Sequence, residues 1–297
     1  MSVNNLQAKP GRGGLPRLTL RHAGGAQCEL YPHGAHVTSY VTAAGRDLLY
    51  LSERATFRDG EAIRGGIPVI FPQFGPGALP RHGFARTRSW TLEAGEGRGD
   101  APWARLRLTS DDATRAIWPH DFDATLTVRL GADALRVELE IENTGSASLT
   151  FTGALHSYLR VGDVERAVVE GLRGARYLDQ TTGARDVLED EPRVAFTGEV
   201  DRVYRAAPRT LVLQDAAESR AVRVGLDGFG DAVVWNPGEE KGGAIDDLDP
   251  SGWRRFVCVE AAAAAEPVTL APGARWAGAQ SLAAMRPDGG GVPTGSA

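Results

Sequence analysis

Histidine and glutamate are the side chains whose types and places suit proton transfer here. His156 lies in "LTFTGALHSYLRV", residues 149–161. Leu149, Phe151, Leu155 and Leu159 alternate onto one face of such a strand, leaving Thr150, Thr152, His156, Tyr158 and Arg160 on the other. Interleaved Thr, His and Tyr fit a polar concave surface better than a wet outer one. His156 therefore reads either as a general acid or base or as a half-buried histidine bonded to a neighbour. Glu260 closes "RRFVCVE", residues 254–260, on the face shared by Phe256 and Cys258. Desolvation at the end of an apolar row would raise its pKa and make it a better base. The alternative sets it beyond the strand end, in solvent.

A second group of residues suits an anion. The segment "EAIRGGIPVIFPQFGPGALPRHGFAR", residues 61–86, carries Arg64, Arg81 and Arg86, whose guanidinium forks match phosphate geometry. Gly65-Gly66 would let backbone approach a ligand closely. His82 sits directly after Arg81 and before Gly83. Neighbouring cations disfavour its protonated form, so a neutral imidazole is expected, either in a pocket wall or in a solvated turn. No GxxxxGK[ST] loop is present, so nucleoside triphosphate chemistry is not indicated. The many fixed turns and aromatic rings argue against a floppy surface loop. Trp235, in "DAVVWNP", offers either a flat surface for a sugar or a buried structural ring.

These residues need a scaffold, and the sequence points to an all-β one. Alternation with period two recurs and helical periodicity is scarce. In "ALRVELEIENTG", Leu135, Val137, Leu139 and Ile141 fall on one face, Arg136, Glu138, Glu140 and Glu142 on the other. Further strands are predicted near 17–22, 26–31, 35–42, 88–93, 103–110, 124–130, 148–161, 209–214, 221–226, 231–236, 255–260 and 267–270. Short strands separated by Gly, Pro, Asn and Asp describe a β-sandwich. "EAAAAAE", residues 260–266, has high helix propensity but is too short for a stable helix and ends at Pro267, so it reads as a loop or single turn. One domain, residues 15–285, is expected between Gly/Pro-rich disordered tails at 1–14 and 286–297.

A net charge of −5 gives no reason to expect a nucleic-acid partner. Lys9 and Lys241 are the chain's two lysines, so an arginine beside any given residue is weak evidence of function. Cys28 and Cys258 show no metal-ligand spacing. No stretch has the length of a membrane span and the N-terminus has no apolar signal run, so a cytoplasmic protein is expected.

Six pieces, "IRGGIPVIFPQFGP", "RHGFAR", "TGALHSYLRVGD", "TGEVDRVY", "DAVVWNP" and "FVCVE", together resemble the aldose 1-epimerase (mutarotase) superfamily, and more narrowly its glucose-6-phosphate 1-epimerase branch. The resemblance runs from about residue 30 to 282. It implies an antiparallel galactose-mutarotase-like β-supersandwich, no metal, no organic cofactor, and a hexose 6-phosphate as the small-molecule partner of a monomer. It makes His156 the general acid and Glu260 the general base. It places His82, Asp201 and Gln73 in the sugar pocket and gives Arg64 and Arg86 the phosphate. Gly238 departs from the pattern, where many relatives carry a bulky aromatic residue.

Anomer exchange opens a cyclic hemiacetal and recloses it on the other face. A proton goes to the ring oxygen and another leaves the C1 hydroxyl. An imidazolium and a carboxylate on opposite sides of the sugar are expected to do this. Rival readings are a free-hexose mutarotase, a glycoside hydrolase using Asp201 with Glu260, and a non-catalytic sugar or phosphosugar sensor.

Overall fold

The alternation in "ALRVELEIEN" becomes the strand Ala134–Asn143, half-buried and buried in turn along its whole length. Its Leu135, Val137, Leu139 and Ile141 point into the core. In this computed structural model, which describes residues 6–285, that strand pairs with Phe122–Leu130 on one side and Arg275–Met285 on the other, both antiparallel. The three lie in a nine-stranded sheet that runs from Arg193–Ala195 at one edge to Thr91–Glu96 at the other.

An eight-stranded sheet carries the chemistry. Its order is Val187–Leu188, Arg176–Asp179, Val200–Arg205, Asp231–Asn236, Phe256–Leu270, Leu149–Leu155 and Val69–Ile70, with Tyr158–Arg160 also paired to Phe256–Leu270. A five-stranded sheet from the N-terminal part completes the architecture; its pairing of Pro16–His22 with Arg98–Gly99 is parallel. A single apolar cluster includes Leu18, Leu139 and Val259, one from each sheet. The expected all-β antiparallel supersandwich is what forms.

The structure departs from the sequence reading in four places. "EAAAAAE" is neither loop nor turn but part of the strand Phe256–Leu270. Tertiary packing overrides its helix propensity, because alanines lie flat between the strands on either side. There the ladder shifts register against Phe151 and Gly153, and Asp231 Oδ2 accepts from the Ala264 and Ala265 amides at 2.9 and 2.7 Å. Second, the predicted strand 148–161 divides into Leu149–Leu155 and Tyr158–Arg160, leaving His156 and Ser157 between them. Third, the alternation did not reveal several strands, among them Arg275–Met285, Val200–Arg205, Ala167–Glu170 and Arg176–Asp179. Fourth, part of the expected N-terminal tail is built into the fold: Leu6 is buried and Lys9–Pro10 pairs with Pro16–Arg17. Residues 1–5 and the expected tail at 286–297 lie outside the described residues.

Candidate active site

Leu155 pairs with Ala261 and Tyr158 with Cys258, so His156 falls directly opposite Glu260. Cross-strand neighbours of this kind project side by side on one face. His156 Nδ1 is 3.2 Å from Glu260 Oε1, and both side chains are buried. The backbone is kinked there. The Ser157 amide donates back to Leu155 O at 3.0 Å, while His156 and Tyr158 donate outward to Pro68 O and Gly66 O at 3.0 and 2.9 Å. The Tyr158 ring stacks on the His156 imidazole, centroids 4.9 Å apart, and Trp235 meets it edge-on at 5.7 Å.

The arginine wall is rigid because its loop is pinned by aromatic rings. Phe71 packs edge-on against Phe84, Trp118, Phe122 and Phe151. Phe71 O accepts from the Phe84 and Ala85 amides at 3.0 and 3.1 Å. Gly83 has φ 67°, and a Cβ there would stand 2.2 Å from Phe71 O, so only glycine fits. His82 also has φ 67°; its amide donates to Gly75 O at 3.0 Å and its Nδ1 accepts from Gly75 N at 3.3 Å. Arg64 donates from Nε to Asp247 Oδ1 and from Nη1 to the Tyr158 hydroxyl, each at 3.0 Å. Arg86 donates to Arg81 O at 3.0 Å.

Arg64, Arg81, Arg86, His82, His156 and Glu260 share one cavity of about 300 Å³, with Asp201, Tyr158 and Trp235 also in its lining. Burial there governs protonation. His82 is lowered to about 3, by desolvation first and then by Arg86, Arg81 and Arg64. It is thus the neutral imidazole expected beside those arginines, with burial the larger reason. His156 is held well below the ordinary imidazole range by burial, to which His82, Arg86 and Arg64 add. Glu260 is pushed well above the carboxylate range by burial and by Asp201. Asp201 is itself raised by burial, against a hydrogen bond from Gln180 Nε2 at 2.7 Å. Both partners therefore favour their uncharged forms.

Three placements correct the sequence reading. The acid and base candidates were set on opposite sides of a ligand, yet the strand register makes them neighbours. Gln73 does not reach the cavity: its amide donates to Gly75 O and Leu79 O and accepts from Leu79 N, so it holds the 73–79 loop together. Gly65 and Gly66 serve the fold instead of a ligand, since a Cβ would meet Tyr50 O at 2.5 Å and Val37 O at 2.2 Å respectively. Gly238 has φ 66° against the Glu199 backbone, where a side chain would collide.

Sequence reading missed Gln180, Lys241 and Ile245, which also line the cavity. Lys241 had one signal, its rarity as one of two lysines. His156, Cys258 and Glu260 place donor atoms within 4.8 Å of one another, a set that would suit a soft divalent cation once the thiol lost its proton. Burial pushes that thiol well up.

The comparisons with known proteins agree with this architecture. The family model for aldose 1-epimerase matches residues 16–283. A Cenchrus ciliaris protein named "Putative glucose-6-phosphate 1-epimerase" is 36% identical over 92% of this chain and 85% of its own length. An Escherichia coli protein of the same name is 37% identical over 78% of each chain. A solved Salmonella typhimurium structure, described as a "putative mutarotase", superposes with a TM-score of 0.88 at 31% identity, covering 95% of this chain and 94% of that one. By both its sequence and its three-sheet fold, the chain is a member of the aldose 1-epimerase family.

Proposed function

We propose that this enzyme interconverts the α and β anomers of a hexose 6-phosphate, glucose 6-phosphate first among them. The observation that carries the reading is the His156–Glu260 pair sharing a cavity with three arginines. The ring oxygen and the C1 hydroxyl are bonded to the same carbon. An acid and a base that stand next to each other can therefore reach both, and the 3.2 Å contact supports that arrangement. One donates to the ring oxygen as the other takes the hydroxyl proton, and they exchange roles on closure.

Substrate charge sets the protonation state. A phosphate dianion against Arg64, Arg81 and Arg86 cancels much of the positive field on His156. That change favours transfer of a proton from the Glu260 carboxyl to the imidazole, which gives the acid–base roles the resemblance implies. His82 and Asp201 are placed to bond sugar hydroxyls. Gln73 is left out of the substrate set.

A free-hexose reading draws on Asp247, which already neutralises Arg64. Anomer exchange followed by NMR on glucose 6-phosphate, glucose and galactose separates the two, and preference for a free sugar would overturn the phosphate assignment.

The expected domain, residues 15–285, is taken as one catalytic unit that also incorporates Leu6 and Lys9–Pro10, supported by the apolar cluster common to the sheets. A monomer is supported by Leu188 being the exposed large apolar side chain among the described residues. The free buried Cys28 and Cys258 support a reducing cytoplasm. No helix among the described residues is long and apolar enough to cross a membrane.

A further inference from the structure

The kink at His156 leaves a gap in the strand ladder. In a regular antiparallel pair Ser157 and Val259 would exchange two hydrogen bonds. One is made, from the Val259 amide to Ser157 O at 3.2 Å. The other is lost, because the Ser157 amide has turned to Leu155 O. Val259 O is thus a fully buried carbonyl without its ladder donor, one residue from Glu260.

The missing donor comes from the other sheet. Gln280, on Arg275–Met285 of the nine-stranded sheet, is 1% exposed and donates from Nε2 to Val259 O at 2.9 Å. Its Oε1 accepts from the Ser157 hydroxyl. Its partners across the ladder are Val137 and Leu226, both buried and apolar. An amide among such neighbours is costly unless it is hydrogen-bonded, and an aliphatic side chain would pack there without that cost. These two bonds are what distinguish glutamine at this position. They grip the residue after His156 and the residue before Glu260, from behind the face that carries the pair.

We propose that Gln280 is a positioning residue: its carboxamide replaces the ladder bond forfeited at the kink and so fixes the spacing between His156 and Glu260. This rests on the acid–base reading of those two groups. The test uses Gln280→Met, close in size and unable to bond, together with Ser157→Ala. On glucose 6-phosphate, Gln280→Met is expected to lower kcat about ten- to a hundredfold with KM within about twofold, since a small misplacement of reacting groups costs rate and not binding. Ser157→Ala lowers kcat less, also at constant KM. In a His156→Asn background, Gln280→Met is expected to add less than about a twofold loss.

Nitrogen-15 NMR of the histidine rings needs no turnover. The His156 signals should move in Gln280→Met while those of His36, bonded to Gly65 O, stay in place. A Gln280→Met protein with wild-type kcat and only a lower melting temperature would overturn the proposal, as would equal fold losses in both backgrounds. Should Gln280→Met fail to fold, Ser157→Ala decides by the same split between kcat and KM. A wild type without anomerase activity would sink the functional reading alone, and the His156 signals would still decide whether Gln280 positions the ring.

Discussion

Two hollows on this molecule hold charge in opposite ways. The trough on the outer face of the nine-stranded sheet has a volume of about 360 Å³ and is lined by Glu93, Arg105, Arg107, Asp123, Glu142 and Arg275 among others. Most of its charges are locally answered: Arg107 meets Asp123 and Glu93, and Arg275 meets Glu142 at 2.8 Å. The cavity on the eight-stranded sheet is smaller, about 300 Å³. There Arg86 bonds a backbone carbonyl, His82 and His156 are pressed neutral, and Glu260 is buried with its charge suppressed. Volume is therefore a poor guide to chemistry. Buried titratable groups held away from their ordinary protonation are what mark the candidate ligand site.

The largest break in this contrast comes from the proposed proton-transfer pair. His156→Asn or Glu260→Gln is expected to lower anomer exchange by about 10²–10⁴ while sugar-phosphate binding survives. Line-shape or exchange NMR on glucose 6-phosphate checks it, and a variant that kept more than about a tenth of wild-type turnover would lose its assigned role.

Next come the arginines. Arg86→Ala should lose roughly ten- to a hundredfold in kcat/KM on hexose 6-phosphate, mostly in KM, and little on free hexose. Arg64→Ala also removes the partner of the Tyr158 hydroxyl that stacks on His156, so its loss should extend to kcat. Paired kinetics on the two substrates measure the difference. Equal losses on both would make these arginines structural.

Acid sharpens the comparison through stability. His36 and His82 are both lowered to about 3, by burial first. Their folded pKa lies below the unfolded value near 6.5, so the unfolded chain binds more protons between those limits. Stability is fully present above about pH 6.5 and falls as pH drops toward 3, by about 1.4 kcal/mol per pH unit for each histidine. Denaturant melts at pH 7.5 and 5 should show it, and equal midpoints would contradict it. The smallest effect belongs to the outer trough. Arg107→Ala should change stability by less than about 0.5 kcal/mol and leave turnover unchanged.

How much of this was legible in the residues depended on range. Alternation along one strand is local, so Ala134–Asn143 was read directly. Arg275–Met285 was missed because "RWAGAQSLAAM" is dominated by small side chains, and its strand character comes from two long partners on either side. The polyalanine run misled for the same reason. His156 and Glu260 stood out as polar breaks in apolar rows, but their adjacency is a matter of register between strands about a hundred residues apart. Gln73 and Gln280 have the same side chain. One serves its own loop and the other serves the cavity from behind, and only the pairing of sheets tells them apart.

The opposition of His156 and Glu260 in the ladder has an evolutionary consequence. The proposed proton-transfer pair is written into the sheet, where a one-residue slip of either strand would turn its member of the pair to the opposite face. Of the proposed recognising groups, Asp201 stands on a strand, while the arginines, His82 and Lys241 hang on the 61–86 loop and the 237–249 segment. Natural variation can therefore rebuild those two segments and change which sugar is accepted without reinventing the reaction, much as a tool keeps its handle while its bit is changed. Loop exchange between relatives should move substrate preference and leave the chemical step intact.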